Sequence, residues 1–162
     1  MADQGTIQTV VWGTGNMGRA AIRAIDAHPG LTLSAVIVAN PEKVGKDAGE
    51  LAGLDRSLGV AATDDVDAVL AASPGAVAYM ASGDIRPDEA VGDVCRALRV
   101  GAVVVTPAIY PLYDPTNAPA EVIDPVRAAA YADLGIATLC RTGLMLDAVN
   151  AYLGLPASGL PG

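Results

Sequence analysis

The chain has 162 residues, 52% hydrophobic and 17% charged, which suffices for one domain with a full core and excludes a disordered polymer. Its net charge of −8 argues against nucleic acid or an anionic membrane surface as a partner, but not against an anionic cofactor held by local backbone dipoles. Aromatic residues make up 4% and Phe is absent, so Ala, Val, Leu and Ile must fill the core.

In chain order, short β-rich runs alternate with helical stretches. Met1 to Gly5 is short and polar, without the pattern of a signal peptide. Ile7 to Trp12 reads as a strand ending at glycine. Met17 to Ala27 reads as a helix with Met17, Ala21, Ile22 and Ile25 on one face, stopped by His28, Pro29 and Gly30. Leu31 to Ala39 is a second strand. A short helix is expected near Lys46 to Leu51 and a short strand over Leu58 to Ala62. Thr63, Asp64 and Asp65 then start a helix running from Val66 to Ala72. Ala76 to Ala81 is an apolar strand, and Pro87 suits the first turn of a helix to Val100 with Val91, Val94, Cys95 and Leu98 on its apolar face. Ala102 to Thr106 reads as a buried strand, followed by a proline-rich loop from Pro107 to Pro119. A helix over Glu121 to Leu134, a strand over Ile136 to Cys140 and a last helix over Leu144 to Leu153 complete the series.

Strand and helix alternating throughout predict right-handed crossovers and a single-domain α/β fold, a Rossmann-type doubly wound parallel sheet. The consecutive apolar residues Val36, Ile37, Val38 and Val103, Val104, Val105 fit strands buried on both faces. The expected unit covers residues 1–155, with 143–155 as a returning C-terminal helix and 156–162 as a loose tail rich in Pro and Gly. Cys95 and Cys140 form no metal or redox motif and are expected to be buried, reduced thiols. No apolar run is long enough to span a bilayer, and the expectation is a soluble cytoplasmic protein.

Gly13, Thr14, Gly15, Asn16, Met17 and Gly18 fit G-x-G-x-x-G between the first predicted strand and the first predicted helix, the context in which that pattern binds a dinucleotide. Gly13 would allow the tight turn, Gly15 would let the backbone approach a pyrophosphate, and Gly18 would let the helix pack on the strand. The free N–H groups of the helix and its dipole would favour the diphosphate. An S-adenosylmethionine site wants an acid just before such a turn, and Trp12 stands there instead.

The end of the second strand discriminates NAD from NADP, because an acid there would bind the ribose 2′-hydroxyl of NAD. Here the chain reads Ala39, Asn40, Pro41, Glu42, Lys43. Asn40 can hydrogen-bond a hydroxyl or a phosphate, and Arg19 and Lys43 are placed to reach a 2′-phosphate. NADP is therefore favoured, with NAD as the alternative. Ligands of such sheets lie outside the carboxyl ends of strands, which makes Ala81, Ser82 and Gly83 candidates for the nicotinamide ribose. Thr106, Pro107 and Ala108 are candidates for the nicotinamide itself. Tyr110, Tyr113 and Asp114 in the long loop are the candidate substrate contacts.

Val11 to Gly18 resembles the start of dihydrodipicolinate reductase-like proteins, and more closely their actinobacterial relatives and the amine and 2,4-diaminopentanoate dehydrogenases akin to them. Further matching pieces are His28–Pro29, Pro41 to Glu50, Gly59–Val60 before Thr63 to Asp65, Asp88 to Val91, Cys95–Arg96, and Gly101 before Val103–Val104. The resemblance runs from about Ile7 to Gly143. It implies an NAD(P)-dependent oxidoreductase acting at a C=N or C–N bond, with an amine or imine as the small-molecule substrate. In such enzymes the nicotinamide carries the hydride and the protein orients the acceptor. Family members are about twice as long, as the resemblance implies. Arg141, Thr142 and Gly143 look like the entry to their substrate and dimerisation domain, which is expected to be missing here.

The resemblance implies a glutamate after the strand Ala102 to Thr106, where this chain has Ile109 and Tyr110. The histidine-rich motif and lysine of the reductases are absent, and the single histidine, His28, is expected to be structural or exposed. There is no Tyr-x-x-x-Lys pair, no metal-ligand cluster and no Ser/His/Asp set, so no catalytic residue is assigned. Cofactor binding is expected with weak or absent turnover by the chain alone. The alternatives are a non-catalytic dinucleotide-binding module or scaffold, or a CoA-binding domain. The resemblance also implies homodimers.

Overall fold

The computed structural model describes residues 5–134, with side chains through residue 130. Five parallel strands form one sheet: β1 (Ile7–Trp12), β2 (Leu31–Ile37), β3 (Ala62–Thr63), β4 (Ala76–Tyr79) and β5 (Val103–Val105), in the order β3-β2-β1-β4-β5. The helices are α1 (Asn16–Ala27), α2 (Ala48–Ala52), α3 (Val66–Ala71), α4 (Pro87–Arg99) and α5 (Ala120–Leu134). This strand order is that of the Rossmann-type doubly wound sheet, whose ligand crevice opens where the order reverses. The reversal lies between β1 and β4, so the turns following Trp12 and Tyr79 flank it.

The period-2 alternation of each strand divides the core into two layers. Val10, Trp12, Ile37, Val77 and Tyr79 face one way and are covered by Leu70 of α3 and by Ala90, Val94 and Ala97 of α4. Val11 and Val36, with Val38 just beyond β2, face the other way and are covered by Ile22 and Ile25 of α1 and by Ala48, Leu51 and Ala52 of α2. Trp12 and Tyr79 meet edge to face with ring centroids 5.4 Å apart, a favoured aromatic geometry. They fix the registry of β1 and β4 directly beneath the crevice.

Helix α3 starts where the sequence predicts, because the Asp65 side chain accepts from Ala68 N. Helix α4 buries Val94 and Cys95, with Val91 and Leu98 packed alongside. Cys95 is a free thiol, and burial pushes its pKa up. Several expectations need correction. Val103 and Val105 are 59% and 51% exposed, so β5 is not buried on both faces. Strand β5 is the edge of the described sheet. Its other face, carrying Val104, packs under α4, while α5 packs on α4 instead of covering β5. Met17 is exposed in the first turn of α1, apart from the buried face of Gly18, Ile22 and Ile25. The strand expected over Leu58 to Ala62 reduces to β3, preceded by an antiparallel bridge between Asp47 and Ala61. The long proline-rich loop contains a 3-10 turn over Tyr110–Tyr113. The elements expected over Ile136 to Cys140 and Leu144 to Leu153, together with Cys140 and the tail, lie outside the described residues.

Candidate functional site: a dinucleotide cradle

The glycine turn is built from both sides. Gly13 N donates to Ile37 O of β2 at 2.8 Å, and Met80 N donates to Trp12 O at 2.7 Å. Gly13 has φ +100°, and a Cβ there would stand 2.8 Å from Ala81 N, so the turn needs glycine both for its backbone angle and for its approach to the β4 loop. A Cβ on Gly18 would collide with the carbonyl oxygen of Gly13, which is how closely α1 sits on the turn. At Gly15 a Cβ would meet nothing within 4 Å. Its space is open, so packing within the chain does not require glycine there.

Gly15 is also the N-cap of α1. It brings no side chain to bond the first N–H groups, and no acidic residue stands in the first turn. Most helices satisfy some of these donors with a cap. A twelve-residue helix beginning with free donors and an open Gly15 surface presents a site for an anion.

Thr14 is buried, and Lys43 reaches it from the turn that follows β2. Lys43 Nζ donates to Thr14 Oγ1 at 3.1 Å and lies 3.4 Å from its carbonyl oxygen. The ammonium therefore stands beside the glycine turn. Asn40 caps the 3-10 turn Pro41–Lys43 by accepting from Glu42 N at 2.9 Å, which occupies its side-chain oxygen and leaves the amide nitrogen as the group to donate to a ligand. Arg19 points elsewhere: its Nε donates to Leu51 O at 2.8 Å, and Arg23 likewise donates to Ala52 O. These two arginines fasten the carboxyl end of α2 to α1.

The opposite wall joins the remaining predicted residues. Ala81 lies against Gly13. A Cβ on Gly83 would collide with the Ala108 carbonyl, so the loops after β4 and β5 touch there. Thr106 Oγ1 accepts from Ala108 N at 3.0 Å, closing a tight turn around Pro107. Beyond it Tyr110 and Tyr113 are 64% and 55% exposed, with rings 6.0 Å apart. Tyr113 OH donates to Pro107 O at 3.4 Å.

The family of dihydrodipicolinate reductase N-terminal domains matches residues 7–81. An amine dehydrogenase of Streptomyces virginiae is 62% identical over 154 residues, 95% of this chain and 42% of that protein. A 4-hydroxy-tetrahydrodipicolinate reductase of Mastigocladus laminosus is 43% identical over 72 residues, 44% of this chain and 26% of the reductase. The solved amine dehydrogenase of Mycobacterium smegmatis superposes with a TM-score of 0.67 at 30% identity, covering 78% of this chain and 36% of that one. The chain thus spans less than half the length of these relatives.

The sheet topology brings Gly13, Thr14, Gly15, Asn16, Met17, Gly18, Lys43, Ala81, Ser82, Gly83, Thr106 and Pro107 to the carboxyl ends of the strands around the switch point. Asn40 stands at the same end of β2, and Arg19 is engaged with α2.

The buried Tyr79 donates its OH to Oδ2 of the partly exposed Asp93 at 3.1 Å. Burial pushes the phenol well above its ordinary range, and the Asp93 charge adds to the shift. Burial also raises Asp93, against the lowering by its Tyr79 hydrogen bond and Arg96. The pair joins β4 to α4.

Asp47 escaped the sequence reading as a site residue. It is the N-cap of α2, and its carboxylate accepts from Gly49 N (2.8 Å), Leu58 N (2.9 Å), Gly59 N (2.9 Å) and Ser57 Oγ (2.8 Å). The signal was an Asp two residues before a Gly at a helix start, but the partners eleven and twelve residues on leave no local trace. These donors, Leu58 N and Ser57 Oγ foremost, hold the carboxyl from its ordinary 3.8 down to about 2. A depressed folded-state pKa gives stability that is complete above the unfolded value and lost as pH falls through the folded one. Urea unfolding midpoints should fall on acidification from pH 4 toward 2, and the fall should be shallower in Asp47→Asn. An equally steep fall in the variant would show that other carboxylates carry it.

Proposed function

We propose that this chain binds NADP(H) in the crevice between β1 and β4, as the cofactor-binding part of an oxidoreductase acting at a C=N or C–N bond. The observation that carries the reading is the uncapped start of α1 at Gly15, open to an approaching anion while Gly13 and Gly18 are packed tight. The residues present fit the dinucleotide: free N–H groups for the diphosphate, and the Lys43 ammonium beside the turn for a 2′-phosphate. Nothing acidic stands at the end of β2 to take a ribose 2′-hydroxyl, since Asn40 occupies that place. Arg19 is bound to α2, so the preference for NADP over NAD rests on Lys43 and the Asn40 amide.

When bound, the nicotinamide supplies the hydride. The chain's own part is to hold the dinucleotide along Gly13 to Gly18 and to shape the far end of the crevice with Ala81 to Gly83 and Thr106 to Ala108. The exposed rings of Tyr110 and Tyr113 offer apolar faces to a substrate there. An amine or imine is the substrate class supported by the amine dehydrogenases among the relatives.

Lys43→Ala tests the nucleotide preference. Losing one charge-assisted contact to a phosphate should weaken NADPH binding by about tenfold, on the order of 1.4 kcal/mol, and leave NADH within about twofold. Titration calorimetry with both nucleotides reads this directly. Equal weakening of the two would contradict a 2′-phosphate role for Lys43.

A further inference from the structure

Residues 41–62 form a small lobe that carries Lys43 to the glycine turn, and the lobe is organised around one carboxylate. Its front is set by Asn40, whose side chain caps the 3-10 turn ending at Lys43. Its middle pairs back on the strand side: Gly45 N donates to Ala62 O, Ala62 N to Lys46 O and Ala48 N to Val60 O, each at 2.8 Å. Its rear is held by Asp47, which gathers Gly49 N, Ser57 Oγ, Leu58 N and Gly59 N onto two oxygens. The return of the chain toward β3 thus depends on Asp47. A Cβ on Gly49 would collide with the Arg56 carbonyl, so helix α2 sits directly on the returning segment. Arg19 and Arg23 tie the far end of α2 to α1. Asp47 is four residues from Lys43, and its partners fix the strand on which the intervening backbone is paired.

We infer that Asp47 is a positioning residue for cofactor choice: by pinning residues 57–59 to the start of α2 it holds the Lys43 ammonium beside Thr14, and so sets the preference for a 2′-phosphorylated dinucleotide. The inference rests on the reading of Lys43 given above and extends it to a residue that touches no ligand. Asparagine at 47 keeps one acceptor oxygen and puts donors in place of the other, opposite Gly59 N and Ser57 Oγ. The lobe then keeps its pairing to residues 60–62 but loses its rear anchor, and the ammonium loses its fixed place. Ser57→Ala removes the hydroxyl that donates to Asp47 and accepts from Gly59 N, and leaves the three backbone bonds to Asp47, a milder change than Asp47→Asn.

The experiment is calorimetric titration of the whole chain with NADPH and with NADH, comparing wild type, Asp47→Asn, Ser57→Ala and Lys43→Ala, each checked for a cooperative thermal transition. The readout is the ratio of the two dissociation constants, which a purely structural role would leave unchanged. Asp47→Asn should weaken NADPH by about fivefold and leave NADH within about twofold, and Ser57→Ala should move the ratio in the same direction by less. A collapsed ratio in Lys43→Ala beside a wild-type ratio in both Asp47→Asn and Ser57→Ala overturns the positioning role alone. Equal weakening of both nucleotides in the Asp47 and Ser57 variants overturns it as well. A wild-type ratio in Lys43→Ala overturns the reading beneath it.

Discussion

Gly18→Ala should destabilise the protein even though it places the best helix former inside a helix. Alanine in place of glycine in a helix interior gains about 1 kcal/mol. At this position the added methyl meets the Gly13 carbonyl, and the obstacle is backbone already fixed by Gly13 N to Ile37 O and by the contact with Ala81. Overpacking against a part that cannot yield costs about 1–3 kcal/mol or more. The net should lower the thermal midpoint by roughly 5 °C, since a domain of this size loses about 2–4 °C per kcal/mol. Gly92→Ala is the control. Gly92 lies inside α4 with nothing within 4 Å of a Cβ, so the same substitution there should raise the midpoint. Opposite signs in a calorimetric scan support the close seat of α1 on the turn. A gain of stability in Gly18→Ala would show that α1 can move away from it.

Gly15→Val should do the reverse, leaving the fold intact and removing the ligand. Gly15 has φ −73° and ψ −164°, extended backbone open to any residue, and its Cβ direction faces empty space. Stability should stay within about 0.5 kcal/mol of wild type, as for other substitutions away from packed groups. A branched side chain there stands between the free N–H groups of α1 and any diphosphate, at the one glycine whose task is backbone approach. Binding should weaken by about a hundredfold or more, close to 3 kcal/mol. The contrast of the two glycines would separate the fold of the turn from its use, with Gly18 packed against Gly13 and Gly15 open to the proposed ligand.

Much of this was legible in the sequence because it is local. The glycine spacing after a strand, the acid that starts α3, Pro87 in the first turn of α4 and the apolar run that ends β1 at glycine each depend on neighbours within a few positions. What could not be read depends on partners far along the chain. Arg19 looks like a phosphate ligand until Leu51, thirty-two positions away, takes its Nε. Asp47 looks like an ordinary cap until Leu58 and Gly59 fold back onto it. Val103 to Val105 reads as a doubly buried strand because apolar runs do not reveal whether a strand stands at the edge of a sheet, and here one face of β5 is open among the described residues. The touch of Gly83 on Ala108 joins two loops that sequence reading assigned separately to the ribose and the nicotinamide.

The central claim is that the cradle between β1 and β4 holds a nicotinamide dinucleotide. Its most direct test is calorimetric titration of wild type and Gly15→Val with NADPH and NADH, after both are shown to be folded. Saturable one-to-one binding by wild type, tighter for NADPH, with none detectable in Gly15→Val, is the predicted result. A folded wild type that binds neither nucleotide, or a Gly15→Val variant that binds as wild type does, would contradict it.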